Sequence, residues 1–477
     1  MPQEFIVAIE LGSSKMTGVA GKKNLDGSLS VLAVVKEDST SCIRKGVVYN
    51  IDKTVQCLQS IVKKLENQLK TKITQVYVGV GGQSIRSVRN VIVKDMPAAT
   101  IVNQDMINEL MDGNRSMTYP EMEILDAVTQ EYKVDQQYQL DPVGIECTRL
   151  EGNFLNILWR KTFYRNLNKC FANANLPIAE MYLAPLAMAD SVLTEAEKRA
   201  GSVLVDLGAD TTTVSVYYKN ILRHLAVIPL GANNITKDIA SLQMEEKEAE
   251  AMKLKYGSAY TDNADIDNSL MLPIDSDRSV DSRKFIDIVE GRVEEIVENV
   301  WFQVPNEYVD KLLGGIILTG GGSNLKNIEQ AFRNHTRMDK IRIAKAIIAT
   351  VTSSHGELSH PDGTMNTVLS ILAKGDLNCA GEELRVDLFA PDEQKPTVVN
   401  EQPRQQTTGR GVVQTEAEKQ KAEEEARLRK EEEEARLRRE AEEEARRQEE
   451  ERRQNTTGKK LMRSFRKFID ALTGDDE

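Results

Sequence analysis

The chain has 477 residues, room for two to four domains and a sizeable core. A formal net charge of -12 argues against nucleic acid as the main partner, and four dispersed histidines are too few to suggest a metal cluster. Five scattered cysteines (Cys42, Cys57, Cys147, Cys170, Cys379) lack C-x-x-C spacing and read as reduced thiols of a cytosolic chain.

The N-terminal MPQEFIVAIELGSSK enters a strand at once and has no signal-peptide pattern. Its apolar run, Phe5 to Ile9, ends in Glu10-Leu11-Gly12-Ser13-Ser14-Lys15. Residues 84–164 carry mixed signals, with strands at Val91 to Val93 and Phe154 to Trp159 and a helix at Gln104 to Met111. A second apolar run, Ser202 to Val205, ends in Asp206-Leu207-Gly208-Ala209-Asp210-Thr211-Thr212-Thr213. Alternating Val214, Val216 and Tyr218 follow, which predicts a hairpin rather than a helix. Residues 236–310 are mainly helical, with periodic stretches at Ala249 to Lys255 and Phe285 to Phe302. The loop between them carries Asp262, Asp265, Asp267, Asp275, Asp277 and Asp281. It lacks the Gly and terminal Glu of a calcium-binding EF-hand loop and reads as a solvated loop. Ile316 to Leu318 then leads into Thr319-Gly320-Gly321-Gly322-Ser323. The two acidic turns lie about 196 residues apart, which predicts a duplicated α/β domain with one turn from each half facing a central cleft.

Past Leu388 the composition changes. Residues 390–415, rich in Pro, Gln, Thr and Gly, read as a disordered linker. Residues 416–453 hold 16 Glu against 12 Lys or Arg. Glu425–Arg429, Glu432–Arg436 and Glu434–Arg438 are i, i+4 pairs in the favourable order, each adding ~0.2–0.5 kcal/mol to a helix. Leu428 and Leu437 are the only large apolar residues there, so no coiled-coil seam exists. A single solvated helix of about 57 Å is the preferred reading and a charged disordered spacer the other; either way the segment is a tether. The last nineteen residues, Lys459 to Glu477, place Leu461, Phe465, Phe468, Ile469 and Leu472 on one helical face. Lys459, Lys460, Arg463, Arg466 and Lys467 flank that face, and Met462 is counted with the membrane-facing set. Such a helix suits an anionic membrane surface; docking on a protein is the other reading. No run of about 18 apolar residues exists that would span the bilayer.

Phosphate oxygens call for close backbone N–H groups, hydroxyls and a cation. Gly12, Ser13, Ser14 and Lys15 supply these in the first turn, and Gly208, Thr211 and Thr212 in the second. Glu10 and Asp206 would hold Mg2+ through its waters between the phosphates, since this hard ion takes few carboxylates. Gly320 and Gly321 would let a base or ribose approach the backbone closely.

These segments resemble the phosphate-1, phosphate-2 and adenosine motifs of the actin superfamily, and within it the FtsA family of bacterial cell division. Gln130-Glu131-Tyr132 and Asp141-Pro142-Val143-Gly144 resemble that family's inserted 1C subdomain, and Ser191-Val192-Leu193-Thr194 the helix before its second phosphate turn. Gly231, Asn233, Ile235, Thr236, Asp238 and Ile239 resemble its Gly-Gly-Asn-x-Ile-Thr-x-Asp-Ile segment, with Ala232 in place of the second Gly. Ala249-Glu250, Lys253 and Tyr256-Gly257 resemble its adenosine-side helix, which makes Glu250 and Lys253 ribose-contact candidates. The resemblance covers residues 4–380, and the terminal helix is similar to the family's membrane-targeting sequence.

The resemblance implies an actin-like duplicated α/β ATPase fold. Subdomain 1A would span 1–83 and 165–199, the SHS2-like 1C insert 84–164, 2A 200–235 and 311–389, and helical 2B 236–310. The linker (390–415), charged tether (416–458) and amphipathic helix (459–477) would follow. It implies ATP and Mg2+ as cofactors and head-to-tail filaments of the chain itself on the cytoplasmic face of the membrane at the division septum. Subdomain 2B would bind the C-terminal tail of the tubulin-like FtsZ, with later division proteins recruited. On the helix that holds Arg292 and Glu294 no individual contact stands out.

Two departures from the pattern matter. Ala209 and Asp210 replace two glycines of the second phosphate motif, and Thr213 stands where relatives often place Asp or His near the attacking water. Thr is a poor base at neutral pH, which predicts nucleotide binding with slow or absent hydrolysis. Two alternatives stay open: a small-molecule kinase of the same superfamily, and another actin-like filament or scaffold such as an MreB-like or pilus-assembly homologue.

Overall fold

The computed structural model describes residues 4–353 and 356–383. The linker, tether and terminal helix, with every membrane residue named above, lie outside the described residues.

The first half is built on strands β1 (Ile6–Leu11), β2 (Lys15–Lys23) and β3 (Leu29–Asp38), followed by helix α1 (Ile51–Leu69) and strand β4 (Val76–Val80). Ile6 to Ile9 are all buried, as a continuous apolar run in a sheet covered on both faces should be. Helix α1 starts at Asn50, whose side chain accepts from the Lys53 N–H. Its Leu58, Ile61, Leu65 and Leu69 recur at helical spacing and are buried against the sheet, each burial stabilising by roughly 1.5–3 kcal/mol.

An insert follows β4. Strands β5 (Arg86–Ile101), β6 (Met122–Val134) and β7 (Glu146–Arg160) form an antiparallel sheet in the order β6-β7-β5. Helix α2 (Gln104–Arg115) packs on it over a small core that includes Ile107, Leu110, Tyr132, Leu150 and Phe154. Strand β8 (Ile178–Leu183) then rejoins the first sheet beside β4, and helix α3 (Ala184–Val192) follows.

The second half repeats the first. Strands β9 (Ser202–Leu207), β10 (Thr212–Tyr218) and β11 (Ile221–Ile228) form the meander, and β12 (Gly315–Thr319) and β13 (Ile341–Ile343) complete it. Five strands of the first sheet run β8-β4-β1-β2-β3 and five of the second run β13-β12-β9-β10-β11, the same topology. Registers repeat at one sequence offset: Glu10 pairs with Thr17 and Asp206 with Thr213. The hairpins expected after each acidic turn are therefore present. Helices α4 (Ala232–Ala240), α5 (Glu246–Tyr256) and α6 (Ser282–Phe302) add a helical layer over the second half.

The Asp-rich loop has a local explanation. Asp262, Asp267 and Asp275 each accept backbone N–H groups two residues on, and Asp281 caps α6 by accepting from the Lys284 N–H.

The insert lies within the first half of the chain, yet it joins the second sheet. Strand β5 pairs with β11 at Arg86 and Ala226, and the Val227 N–H donates to the Ile85 carbonyl at 3.1 Å. Buried Arg223 reaches Glu131 at 3.0 Å and Gln130 at 3.3 Å, and Arg89 pairs with Glu307. Leu125, Leu155, Ile157 and Trp159 of the insert also enter a core cluster that runs through the first half and takes in Leu204, Tyr217, Leu222, Leu225 and Ile317 of the second.

Candidate nucleotide site

The strand ends β1 and β9 converge on one cleft of about 1110 Å³. Glu10 and Asp206 each lie one residue before the end of their strand, β1 and β9, and both carboxyls face this space. Burial, and then the charge of Asp206, push the Glu10 carboxyl up to about 8; the Thr367 hydroxyl and Lys36 oppose the rise. Burial alone pushes Asp206 up to about 6. Two half-buried acids that repel each other are destabilised as anions and relieved by a divalent cation between them. Glu10 and Asp206 thus fit a hydrated Mg2+, which would screen phosphate charge there.

Gly12, Ser13, Ser14 and Lys15 line the cleft, as do Gly208 and Thr211. The second turn closes through the Gly208 N–H, which donates to the Thr211 carbonyl at 2.9 Å. A loop of the first half braces the first turn. The Ser39 hydroxyl donates to the Gly12 carbonyl at 2.6 Å, and the Gly46 N–H donates to Ser13 Oγ at 2.8 Å.

Thr212 departs from the sequence reading. Strand alternation sends Thr211 and Thr213 to the cleft and Thr212 to the other face, where it is fully buried and donates to the Leu230 carbonyl at 2.9 Å. Gly231 also stands back from the cleft wall. Its N–H donates to Asn234 Oδ1, while the N–H groups of Ala232 and Asn233 donate to the carbonyls of Gly208 and Ala209. It positions the second turn under the start of α4.

Glu250 and Lys253 line the far wall and meet at 2.7 Å. Thr236 links them: its hydroxyl donates to Glu250 at 2.5 Å and accepts from Lys253 Nζ at 2.8 Å. Gly320 and Gly321 also line the cleft. Gly320 has φ +81 and ψ 170, a conformation open essentially to glycine alone, and a Cβ there would collide with Asp206 Oδ1. Asp210 does not face the cleft. Its Oδ1 accepts from Asn233 Nδ2 at 2.8 Å and its Oδ2 from the Lys45 N–H at 3.2 Å.

Sequence reasoning missed Lys36, Thr17 and Thr367, all of which line the cleft. Glu10, Thr17 and Lys36 form a row across β1, β2 and β3, a neighbourhood set by strand register and invisible to spacing along the chain. Away from the cleft, exposed Glu294 and Glu298 gather beside His335, which reaches Glu294 at 3.8 Å on an open, solvated surface. Arg292 on the same helix is engaged by Asp238 and Glu295.

Two matched α/β halves around a shared cleft, with a small α/β insert in the first, define an actin-like protein of the SHS2-inserted type. A family model described as Cell division protein FtsA matches residues 203–362, and one for the SHS2 domain inserted in FtsA matches residues 82–158. The cell division protein FtsA of Porphyromonas gingivalis is 32% identical over 354 residues, covering 71% of this chain and 74% of that protein. That of Neisseria meningitidis serogroup B is 32% identical, covering 68% and 80%, and that of Bacillus subtilis 29% identical, covering 70% and 78%. The chain belongs to the FtsA family of cell division proteins. In fold it is also similar to a chain of the PilM-PilN type IV pilus biogenesis complex, with a TM-score of 0.53 at 14% identity, covering 77% of this chain and 97% of that one.

Proposed function

We propose that the protein binds ATP with Mg2+, polymerises on the cytoplasmic face of the membrane at the division septum, and tethers the FtsZ ring there. The observation that carries this reading is the matched pair of turns at Glu10–Lys15 and Asp206–Thr211, which face one cleft with two cation-seeking carboxyls. Backbone N–H groups and hydroxyls of both turns hold the phosphates, Glu10 and Asp206 hold the metal through water, and Glu250 and Lys253 meet the ribose. Mg2+ supplies the charge that lets three phosphates sit between two acids. Thr213, opposite Asp206, offers no base, and ATP turns over slowly or not at all.

The nucleotide closes the cleft and favours head-to-tail contacts through the insert, and heterologous contacts of that kind give open filaments. No helix among the described residues is long and apolar enough to cross a membrane. Attachment falls to residues 459–477, and a filament repeats that weak anchor many times, which strengthens it by avidity. The helical layer at 236–310 takes the FtsZ tail, and later division proteins join the assembly.

Liposome co-pelleting tests the reading. The full chain and one ending at Gln454 are compared with ATP, with ADP and without nucleotide on anionic vesicles. Pelleting favoured by ATP and dependent on the last helix is expected. Equal pelleting of both chains, or none, would overturn the anchored, nucleotide-gated reading.

A further inference from the structure

Lys45 and Gly46 are consecutive residues of the first half, with φ of 49 and 71. Consecutive residues with φ > 0 are the two central positions of a tight hairpin turn, here between the paired Arg44 and Val47, and their N–H groups are turned to partners outside the hairpin. Here the two N–H groups go to different halves of the molecule. Gly46 donates to Ser13 in the first phosphate turn at 2.8 Å, and Lys45 donates to Asp210 in the second at 3.2 Å.

The corner itself is held firmly. The Gln83 N–H donates to the Lys45 carbonyl at 2.8 Å. Gly46 abuts Gly82, a contact that leaves no room for a side chain on either residue. On the other side, Asn233 at the start of α4 fixes Asp210 at 2.8 Å. A single peptide corner therefore reads the separation of the two phosphate turns.

We propose that Asp210 is a positioning residue that latches the cleft shut: its carboxylate engages the Lys45 N–H when nucleotide draws the two turns together, and releases it when the cleft opens. This rests on the nucleotide-binding reading above. A glycine at 210 could not make this contact, having no side chain. The negative charge that looked unfavourable beside phosphates is instead turned to the loop, where a backbone N–H and a side-chain amide donate to it.

The test uses the full chain with a fluorescent ATP analogue and Mg2+. It reads nucleotide dissociation by displacement and the hydrogen exchange of residues 42–50 with and without nucleotide. In the unaltered chain ATP should protect the Lys45 amide. Asp210→Gly should remove that protection and speed dissociation about three- to tenfold, the loss of one hydrogen bond to a charged but partly exposed group. Asp210→Asn should retain part of both effects, and Asn233→Ala, which frees one carboxylate oxygen without altering the turn, should fall between. The latch is wrong if Asp210→Gly leaves dissociation and Lys45 exchange as in the unaltered chain, or if ATP binds without protecting Lys45. Failure of the unaltered chain to bind ATP at all would instead refute the nucleotide-binding reading.

Discussion

Two neighbouring glycines in the cleft should respond in opposite ways to the addition of one methyl group. Gly320 sits at φ +81 and ψ 170, and a non-glycine residue there costs about 1–3 kcal/mol in backbone strain alone. Its new Cβ would collide with Asp206 Oδ1 and lie 2.7 Å from the Leu207 carbonyl oxygen, closer than such atoms approach. The turn must shift and carry Asp206 with it. Gly320→Ala should therefore lower stability by about 2–4 kcal/mol and weaken Mg-ATP binding at least about tenfold. A Cβ on Gly321 meets nothing nearer than Thr364 Cγ2 at 3.5 Å, an ordinary contact. Gly321→Ala should cost less than about 0.5 kcal/mol. Gly321→Asp should fold equally well but abolish ATP binding, because it sets a carboxylate where the nucleotide must lie. Urea unfolding of each variant and nucleotide titration by calorimetry would measure both effects. If Gly320→Ala and Gly321→Ala proved equally stable, or if Gly320→Ala bound Mg-ATP normally, the role given to this corner would be wrong.

Three further outcomes are expected. Burial pushes the Glu197 carboxyl up, but Arg342 at 2.6 and 2.8 Å and the capping contact with Thr194 outweigh it and hold the group down at about 2. A depressed folded-state value contributes stability above the unfolded value, near pH 4.5, that is lost as pH falls toward 2; Glu197→Gln should flatten this acid limb by on the order of 2 kcal/mol in urea unfolding at stepped pH. Phe465→Glu should abolish pelleting with anionic liposomes nearly as completely as deletion of residues 459–477, since it puts a charge on the apolar face; retained pelleting would leave electrostatics as the sole attraction. Phosphate release by the purified protein should stay far below the ~10 s⁻¹ of a typical enzyme, and an ordinary rate would show that Thr213 does not set the chemistry.

The duplication was legible because its marks are local. An acid, a glycine two residues later and hydroxyls, twice in the chain, were enough to place Glu10 and Asp206 on one cleft. The helices were legible from apolar spacing, as with Leu58, Ile61 and Leu65. What escaped the sequence was relational. Lys36 joins the cleft only through the pairing of β3 with β2. Thr212 was misplaced because three consecutive threonines look alike until the strand period sorts them onto two faces. The environment of Asp210 depended on a donor 165 positions away in the chain. Docking of the insert on the second half depended on the pairing of β5 with β11 and on side chains such as Arg223 and Arg89, none with a sequence signature.

That docking has a mechanical consequence. The two halves are like two plates, and the insert is riveted to both. Its Leu125, Leu155, Ile157 and Trp159 enter a core to which both plates contribute, and a strand edge, a buried guanidinium and a surface ion pair tie it further to the second. Such a joint is stiff. Swinging the halves apart must bend the insert, strip its apolar packing or part the strand edge, and the motion is a strained flexure with a restoring force. A load applied to the insert from outside is delivered to both plates at once, and by reciprocity the state of the cleft is felt at the insert's outer surface.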